Sequence, residues 1–418
     1  MKIIGGFFHF FIYLIGTVLF LCPSSSAFPN DLDDSDVILL LPAYDAAQEA
    51  ALLAEADDWI SAREGAGYTI ATLPLYSIID YYGLPPESEL TAEEIRLYLR
   101  AHFTDRTAGD SDEGRYLQIF SRPEEVADGD YPLIPRYELT TDGDTVSTDS
   151  PYGFIGQETI DGGDGTVNIP DLDFSDPTLL VTRIPVTYTG ELEIYLQHAL
   201  DYEEADYSRD LTLVAGMFAL EGDSAYIQSM NAQTVNDPST RVFDTTQFSP
   251  DYICTGPGQR LTTFMESSDF IGGVIYNISH GSNTGIYGYH NNTPFTNLSV
   301  SDLSGIPSEK LNIFVSLACA NDSDENGLAR NLFDHSSAAV ISATKSVNPI
   351  DPDYIMAGEL TFLPNFFNQP NSLMQTAQQT RHDYYQLCEA DPEDEDNQTA
   401  FLNILAFNIY GDGIITLP

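Results

Sequence analysis

The sequence predicts an α/β protein, a sandwich of mostly parallel sheets flanked by helices and divided into two similar α/β subdomains. Three observations carry this. Short continuous apolar runs, the mark of strands buried on both faces, alternate with amphipathic helical stretches. The alternation occurs in both halves of the chain, which is βαβ grammar. The runs end in polar or small residues, where open parallel sheets place their ligands.

Taken in order, Val37 to Leu41 is the first strand. A helix follows with Leu53, Ala56, Trp59 and Ile60 on one face, stopped by Gly65 and Gly67. Tyr68 to Leu73 is the second strand, and Thr91-Ala92-Glu93-Glu94 is a capping box opening a helix through Phe103. Tyr116 to Phe120 is the third strand. Residues 121 to 177, rich in Asp, Gly, Pro and Thr and without clear periodicity, read as an elaborate surface loop region. A strand at Leu179 to Val181 and a helix from Leu192 to Tyr202 restore the pattern. With a boundary near Tyr207, residues 28–206 form the first subdomain and 207–418 the second. The second has strand candidates at Leu211 to Phe218, Gly273 to Ile278, Ile313 to Ala318 and Ala338 to Ser342. The residues just past strand ends include Glu221, His280 and Cys319.

The chain begins Met1-Lys2, runs apolar from Ile3 to Cys22, and continues Pro23-Ser24-Ser25-Ser26-Ala27. Small side chains at Ser25 and Ala27 fit a signal-peptidase site, so residues 1–27 read as a signal peptide cleaved after Ala27. A retained membrane anchor is the alternative, since the run is about long enough to span a bilayer. Bulky Leu21 speaks against a lipidated Cys22, and nothing later is apolar enough to span. The expectation is a secreted or cell-surface protein without stable membrane association after cleavage, and a monomer.

The 418 residues hold 64 acidic against 16 basic side chains, a net charge of −48. Such a surface disfavours nucleic acid and anionic membranes as partners. Of four cysteines, Cys22 leaves with the leader, so Cys254, Cys319 and Cys388 are an odd set with at least one thiol left over. A Cys254 to Cys388 bridge with Cys319 unbridged is one economical arrangement.

The chemistry sits at two strand ends, Val274-Ile275-Tyr276-Asn277-Ile278-Ser279-His280-Gly281-Ser282 and Ile313-Phe314-Val315-Ser316-Leu317-Ala318-Cys319-Ala320-Asn321. A thiol nucleophile needs a base to take its proton and an acid to protonate the leaving amine, and an imidazole does both. Side-by-side strands would place Cys319 and His280 together. Gly281, lacking a side chain, lets its N–H approach a developing oxyanion, with the Cys319 N–H as second donor. Singly, each element has a plainer reading: a buried core cysteine and a turn.

The His-Gly after one strand and Ala-Cys after the next resemble the caspase-like peptidases, and the wider text resembles the gingipain family. The resembling segments are Asn277 to Ser282, Ile313 to Asn321, Ala339 to Thr344, Tyr410-Gly411-Asp412-Gly413-Ile414-Ile415 and, upstream, Val181 to Val186. The resemblance implies a caspase-like fold and a cysteine endopeptidase acting on polypeptides, with Cys319 as nucleophile, His280 as acid and base, and Gly281 and Cys319 as oxyanion donors. It also implies a third member, Glu221, that orients the histidine. The chain lacks a counterpart of the pocket acid and tryptophan of arginine-specific members, with Pro349 near the tryptophan position, and Gly413 stands where a proline is common. Basic-residue specificity is therefore not implied.

The chemistry needs no cofactor, but Asp161, Asp164, Asn168 and Asp171 lie in a stretch resembling a calcium loop, with imperfect spacing, so a structural calcium site and a plain polar Asp-Gly turn are the two readings of it. Asp322-Ser323-Asp324-Glu325-Asn326-Gly327 begins like such a loop but places Phe333 twelfth. His102, His198, His290, His335 and His382 lack zinc spacing. Asn277, Asn291, Asn297, Asn321 and Asn397 begin N-x-S/T patterns. The competing functions are a silent surface-binding protein on the same fold and a transpeptidase using the same dyad.

Overall fold

The computed structural model describes residues 32, 35–102, 115–123, 129–141, 144–156, 179–205, 211–215, 251–254, 260–290, 293–322, 326–345, 371–388 and 405–416. The leader, the calcium-loop residues Asp161, Asp164, Asn168 and Asp171, the acid Glu221 and Pro349 lie outside the described residues, as do the side chains of Cys254 and Cys388.

Strand β1 (Val37–Leu41) shows why its sequence does not alternate. Val37, Leu39 and Leu41 enter one core layer and Ile38 and Leu40 the other, so both faces are covered. The first layer receives Leu52 of α1 (Ala46–Glu55) and Trp59 of α2 (Asp57–Gly65). The second receives Ile78 and Ile79 of α3 (Leu75–Tyr82) and Ile95 and Leu99 of α4 (Ala92–His102). The single helix expected over Leu53 to Ile60 is thus two, divided at Ala56. The Thr91 capping box forms: the Glu94 carboxylate accepts from the Thr91 amide at 2.8 Å and the Thr91 hydroxyl accepts from the Glu94 amide at 3.2 Å.

The remaining strands of the first half are β2 (Ile70–Pro74), β3 (Tyr116–Ile119), the hairpin β4 (Tyr137–Thr141) and β5 (Asp144–Thr148), and β6 (Leu180–Arg183). After α5 (Glu191–Glu204) come β7 (Leu211–Ala215), β8 (Asp251–Cys254), α6 (Leu261–Glu266), β9 (Gly273–Ile278), β10 (His280–Ser282), β11 (Gly285–His290) and β12 (Thr293–Ser299). The chain ends through β13 (Asn312–Ser316), α7 (Leu328–His335), β14 (Ser337–Ala343), α8 (Leu373–Cys388) and β15 (Phe407–Gly411).

Ten strands join one sheet in the order β2-β1-β3-β6-β15-β14-β13-β9-β7-β8. Every pairing in it is parallel except β14 with β15, where Val340 faces Tyr410. The polarity of the sheet reverses once, at that seam. A separate three-stranded sheet, β10-β11-β12, extends from the end of β9.

The hairpin β4–β5, within the stretch expected to be a surface loop region, places Tyr137, Leu139 and Val146 in the second core layer, and polar groups fix its open end. Arg136 and Asp149, at its two ends, are buried, and Arg183 from the end of β6 donates to Asp149 at 2.8 and 2.6 Å. Arg183 also donates to the Ser121 and Ile134 carbonyls, each at 2.8 Å. The family-like ending is structural too: buried Asp412 accepts from the Trp59 indole at 2.7 Å and from Arg63, fixing the C-terminal turn to α2.

Candidate active site

Strands β9 and β13 lie side by side, parallel, with Tyr276 opposite Val315 and Asn277 opposite Ser316. The Leu317 amide continues the ladder by donating to the Asn277 carbonyl at 2.8 Å. Both chains then leave the sheet at the same edge. One rises through buried Ser279 to exposed His280, the other through buried Ala318 to half-buried Cys319. Cys319 carries a thiol and is not part of a disulfide. The two residues singled out in the sequence therefore stand at adjoining carboxyl ends, where a parallel sheet offers side chains to a ligand.

Gly281 explains how close the two segments run. A Cβ there would overlap the Cys319 carbonyl oxygen and lie 2.9 Å from Ala318 Cβ and 3.0 Å from Asn321 Nδ2. Only glycine lets the strand bearing His280 pass this near the Cys319 backbone. His280 opens β10, where it pairs with Tyr287 of β11, so the ring is carried on a hydrogen-bonded strand rather than a loop.

The residues immediately after Cys319 are clamped. Ala320 takes a φ of 51°, a left-handed conformation that disfavours a side chain. Its amide donates to the Lys345 carbonyl at 2.8 Å, and the Asp322 amide donates to the Ala343 carbonyl at 3.0 Å. The Asp322 side chain accepts from the Tyr410 hydroxyl at 2.6 Å and from Arg136 at 3.0 Å. Arg136 also donates to the Tyr410 hydroxyl at 2.7 Å and lies 3.6 Å from Asp149. A buried cluster of Arg136, Arg183, Asp149, Asp322 and Tyr410 thus sits three residues beyond the thiol. Burial raises the Asp322 carboxyl above its ordinary value, against the pull of Arg136 and the Tyr410 hydroxyl. For Asp149 burial acts in the same direction, but Arg183 and Arg136 outweigh it and hold the carboxyl below the usual range.

Sequence reasoning missed this cluster and also a polar relay between the strands, formed by Asn277, Ser316 and Asn321. The available signal was a polar residue in each of two apolar runs, Asn277 and Ser316, which the register sets face to face. Burial of Asn277, Asn297 and Asn321 also makes a glycan at those three N-x-S/T patterns incompatible with the folded chain. Asn291 and Asn397 lie outside the described residues. Among the described residues no group of His, Cys, Asp and Glu is arranged to hold a metal ion, and no helix is long and apolar enough to cross a membrane.

Comparison with known proteins places this architecture. The model of a family described as Peptidase family C25 matches residues 32–418. Among solved structures, the complex of Porphyromonas gingivalis RgpB pro- and mature domains aligns with a TM-score of 0.61 at 13% identity, over 91% of this chain and 79% of that one. The Arg-specific cysteine proteinase gingipain R aligns with a TM-score of 0.59 at 13% identity, over 91% and 77%. A structure described only as a protease aligns with a TM-score of 0.61 at 11% identity, over 91% and 78%. No curated protein matches the sequence. At such identities the structural likeness speaks for the fold, a central mostly parallel sheet flanked by helices as in the caspase-like gingipains.

Proposed function

The chain belongs to peptidase family C25 and is a cysteine-type peptidase acting on polypeptides, and from that premise we propose that it is an exported endopeptidase working through Cys319 and His280. The observation that carries this reading is the parallel register of β9 and β13, which ends both strands at one edge with Gly281 against the Cys319 backbone.

In the proposed cycle His280 takes the Cys319 proton and the sulfur attacks the scissile carbonyl carbon. The resulting oxyanion is held by the N–H groups of Gly281 and Cys319. His280 then gives its proton to the leaving amine as the C–N bond breaks, leaving a thioester. Water, deprotonated by His280, attacks the thioester, and the carboxylic acid product leaves as the thiol re-forms. Glu221 is retained as the acid that orients His280, on the family-like segment Ala219-Leu220-Glu221-Gly222. Export rests on the leader-like run from Ile3 to Ala27.

Hydrolysis and amide transfer share the thioester and differ in what attacks it. The test is digestion of an unfolded protein with and without a small primary amine, read by mass spectrometry. Endopeptidase action is expected to give new free carboxyl termini at internal bonds in both mixtures. Products carrying the added amine in place of the free carboxyl would assign the protein to transfer, and intact substrate would remove the proposal.

A further inference from the structure

The relay beneath the two strand ends has a single direction. Asn277 Nδ2 donates to Ser316 Oγ at 3.2 Å, and the Ser316 hydroxyl donates to Asn321 Oδ1 at 2.7 Å. Asn321 Nδ2 then donates to the Ser282 carbonyl at 2.7 Å and to the Gly285 carbonyl at 3.1 Å. Two facing carbonyls accept only from a donor, and the hydroxyl proton needs an acceptor, so the partners themselves fix which end of the carboxamide is which. The Asn321 carbonyl accepts from the Ala329 amide at 3.0 Å, and the Asn283 carbonyl accepts from the Leu328 amide at 2.6 Å. The first turn of α7 therefore ties down both the loop after His280 and the loop after Cys319.

Asn321 is buried, and its side chain hydrogen-bonds the β10–β11 hairpin at the Ser282 and Gly285 carbonyls. His280 stands two residues before Ser282 on that hairpin, and Cys319 two residues before Asn321. We propose that Asn321 is a positioning residue that sets the separation and orientation of His280 relative to Cys319. Its side-chain bonds run to Ser316 and to the Ser282 and Gly285 carbonyls, so the proposed role is exerted through the backbone of the two segments. Its amide adds a direct side-chain link between the two strand extensions, beside the ties that both make to α7, and small displacements of such a pair are costly to proton transfer. The inference rests on the dyad reading above.

Asn321→Asp makes the role readable. When ionised, the new carboxylate faces two carbonyl oxygens with no proton to offer. When neutral, it has the shape of the amide and one O–H donor, while its other oxygen still accepts from Ser316. Turnover of a peptide substrate is to be measured for wild type, Asn321→Asp and Asn321→Ala from about pH 7.5 to about pH 4.5, the range into which burial against two carbonyl oxygens raises a carboxyl from its ordinary value of about 3.9. The expected kcat of Asn321→Asp relative to wild type is down roughly 10²-fold at the upper pH, with KM changed far less. The ratio should recover several-fold as the carboxyl protonates, while that of Asn321→Ala stays low and flat. Wild-type kcat in both variants, or a ratio for Asn321→Asp as flat as that of Asn321→Ala, overturns the proposal. If either variant is unfolded by circular dichroism, Ser316→Ala, which removes only the hydroxyl holding Oδ1, must lower kcat at nearly constant KM, and unchanged kcat overturns it. Cys319→Ala separates the two readings. If it is inactive while the Asn321 variants are fully active, the dyad stands and the positioning role falls. If it retains wild-type hydrolysis, both fall.

Discussion

Cys319→Ala should reduce peptide hydrolysis to the background rate, a fall of at least about 10³-fold, because it removes the sulfur that carries the thioester in both halves of the proposed cycle. The fold is expected to survive. Cys319 is half-buried, and its neighbours are held by bonds that do not use its sulfur: the Leu317 amide to Asn277, the Ala320 amide to Lys345 and the Asp322 side chain to Arg136 and Tyr410. Truncating one small side chain at such a site costs on the order of 1 kcal/mol or less. Circular dichroism and a urea midpoint near that of wild type, beside absent turnover, are the expected pair of results.

Asp149→Ala is expected to act in the opposite way, through stability. The Asp149 carboxylate takes two hydrogen bonds from Arg183, which is fully buried, and lies close to Arg136. Removing it leaves the Arg183 guanidinium buried with carbonyl partners but without its carboxylate, and Arg136 with Asp322 and the Tyr410 hydroxyl. Breaking a buried pair by deleting one partner costs about 3–5 kcal/mol, to be read from urea unfolding at neutral pH. The dependence on pH follows from the lowered Asp149 carboxyl. A depressed folded-state value contributes stability that is fully present above the unfolded carboxyl value of about 3.9 and is lost as pH falls through the folded one. The gap between wild type and Asp149→Ala should therefore be widest at neutral pH and narrow in acid. A gap that does not change with pH would show that the charge interaction is not what the substitution removes.

What the sequence disclosed was governed by what hydrophobicity can report. Val37 to Leu41 and Ile313 to Val315 are buried on both faces, so uninterrupted apolar runs marked them, and the strand ends followed with His280 and Cys319 attached. The hairpin β4–β5 offers a weaker signal, because its buried apolar residues Tyr137, Leu139 and Val146 stand singly among polar ones. Its place is set by Arg136, Asp149 and Arg183, whose partners are remote in sequence and whose burial is tolerable only because each is paired. The same holds for Asn321, which looks in the sequence like one more polar loop residue and whose partners, Ser316, Ser282 and Gly285, become neighbours only once β9 and β13 are in register. The small sheet β10-β11-β12 escaped for a related reason. Gly281, Gly285 and Gly288 each sit where a Cβ would meet a neighbouring residue at under 3 Å, so close approach rather than apolar pattern specifies those strands.

The most direct measurement follows iodoacetamide modification of the full chain, with site occupancy by peptide mapping and residual hydrolysis measured in the same samples. The account predicts that activity falls in proportion to alkylation of Cys319 and reaches zero when that site is full, whatever the state of other thiols. Complete alkylation of Cys319 with undiminished peptide hydrolysis would contradict it.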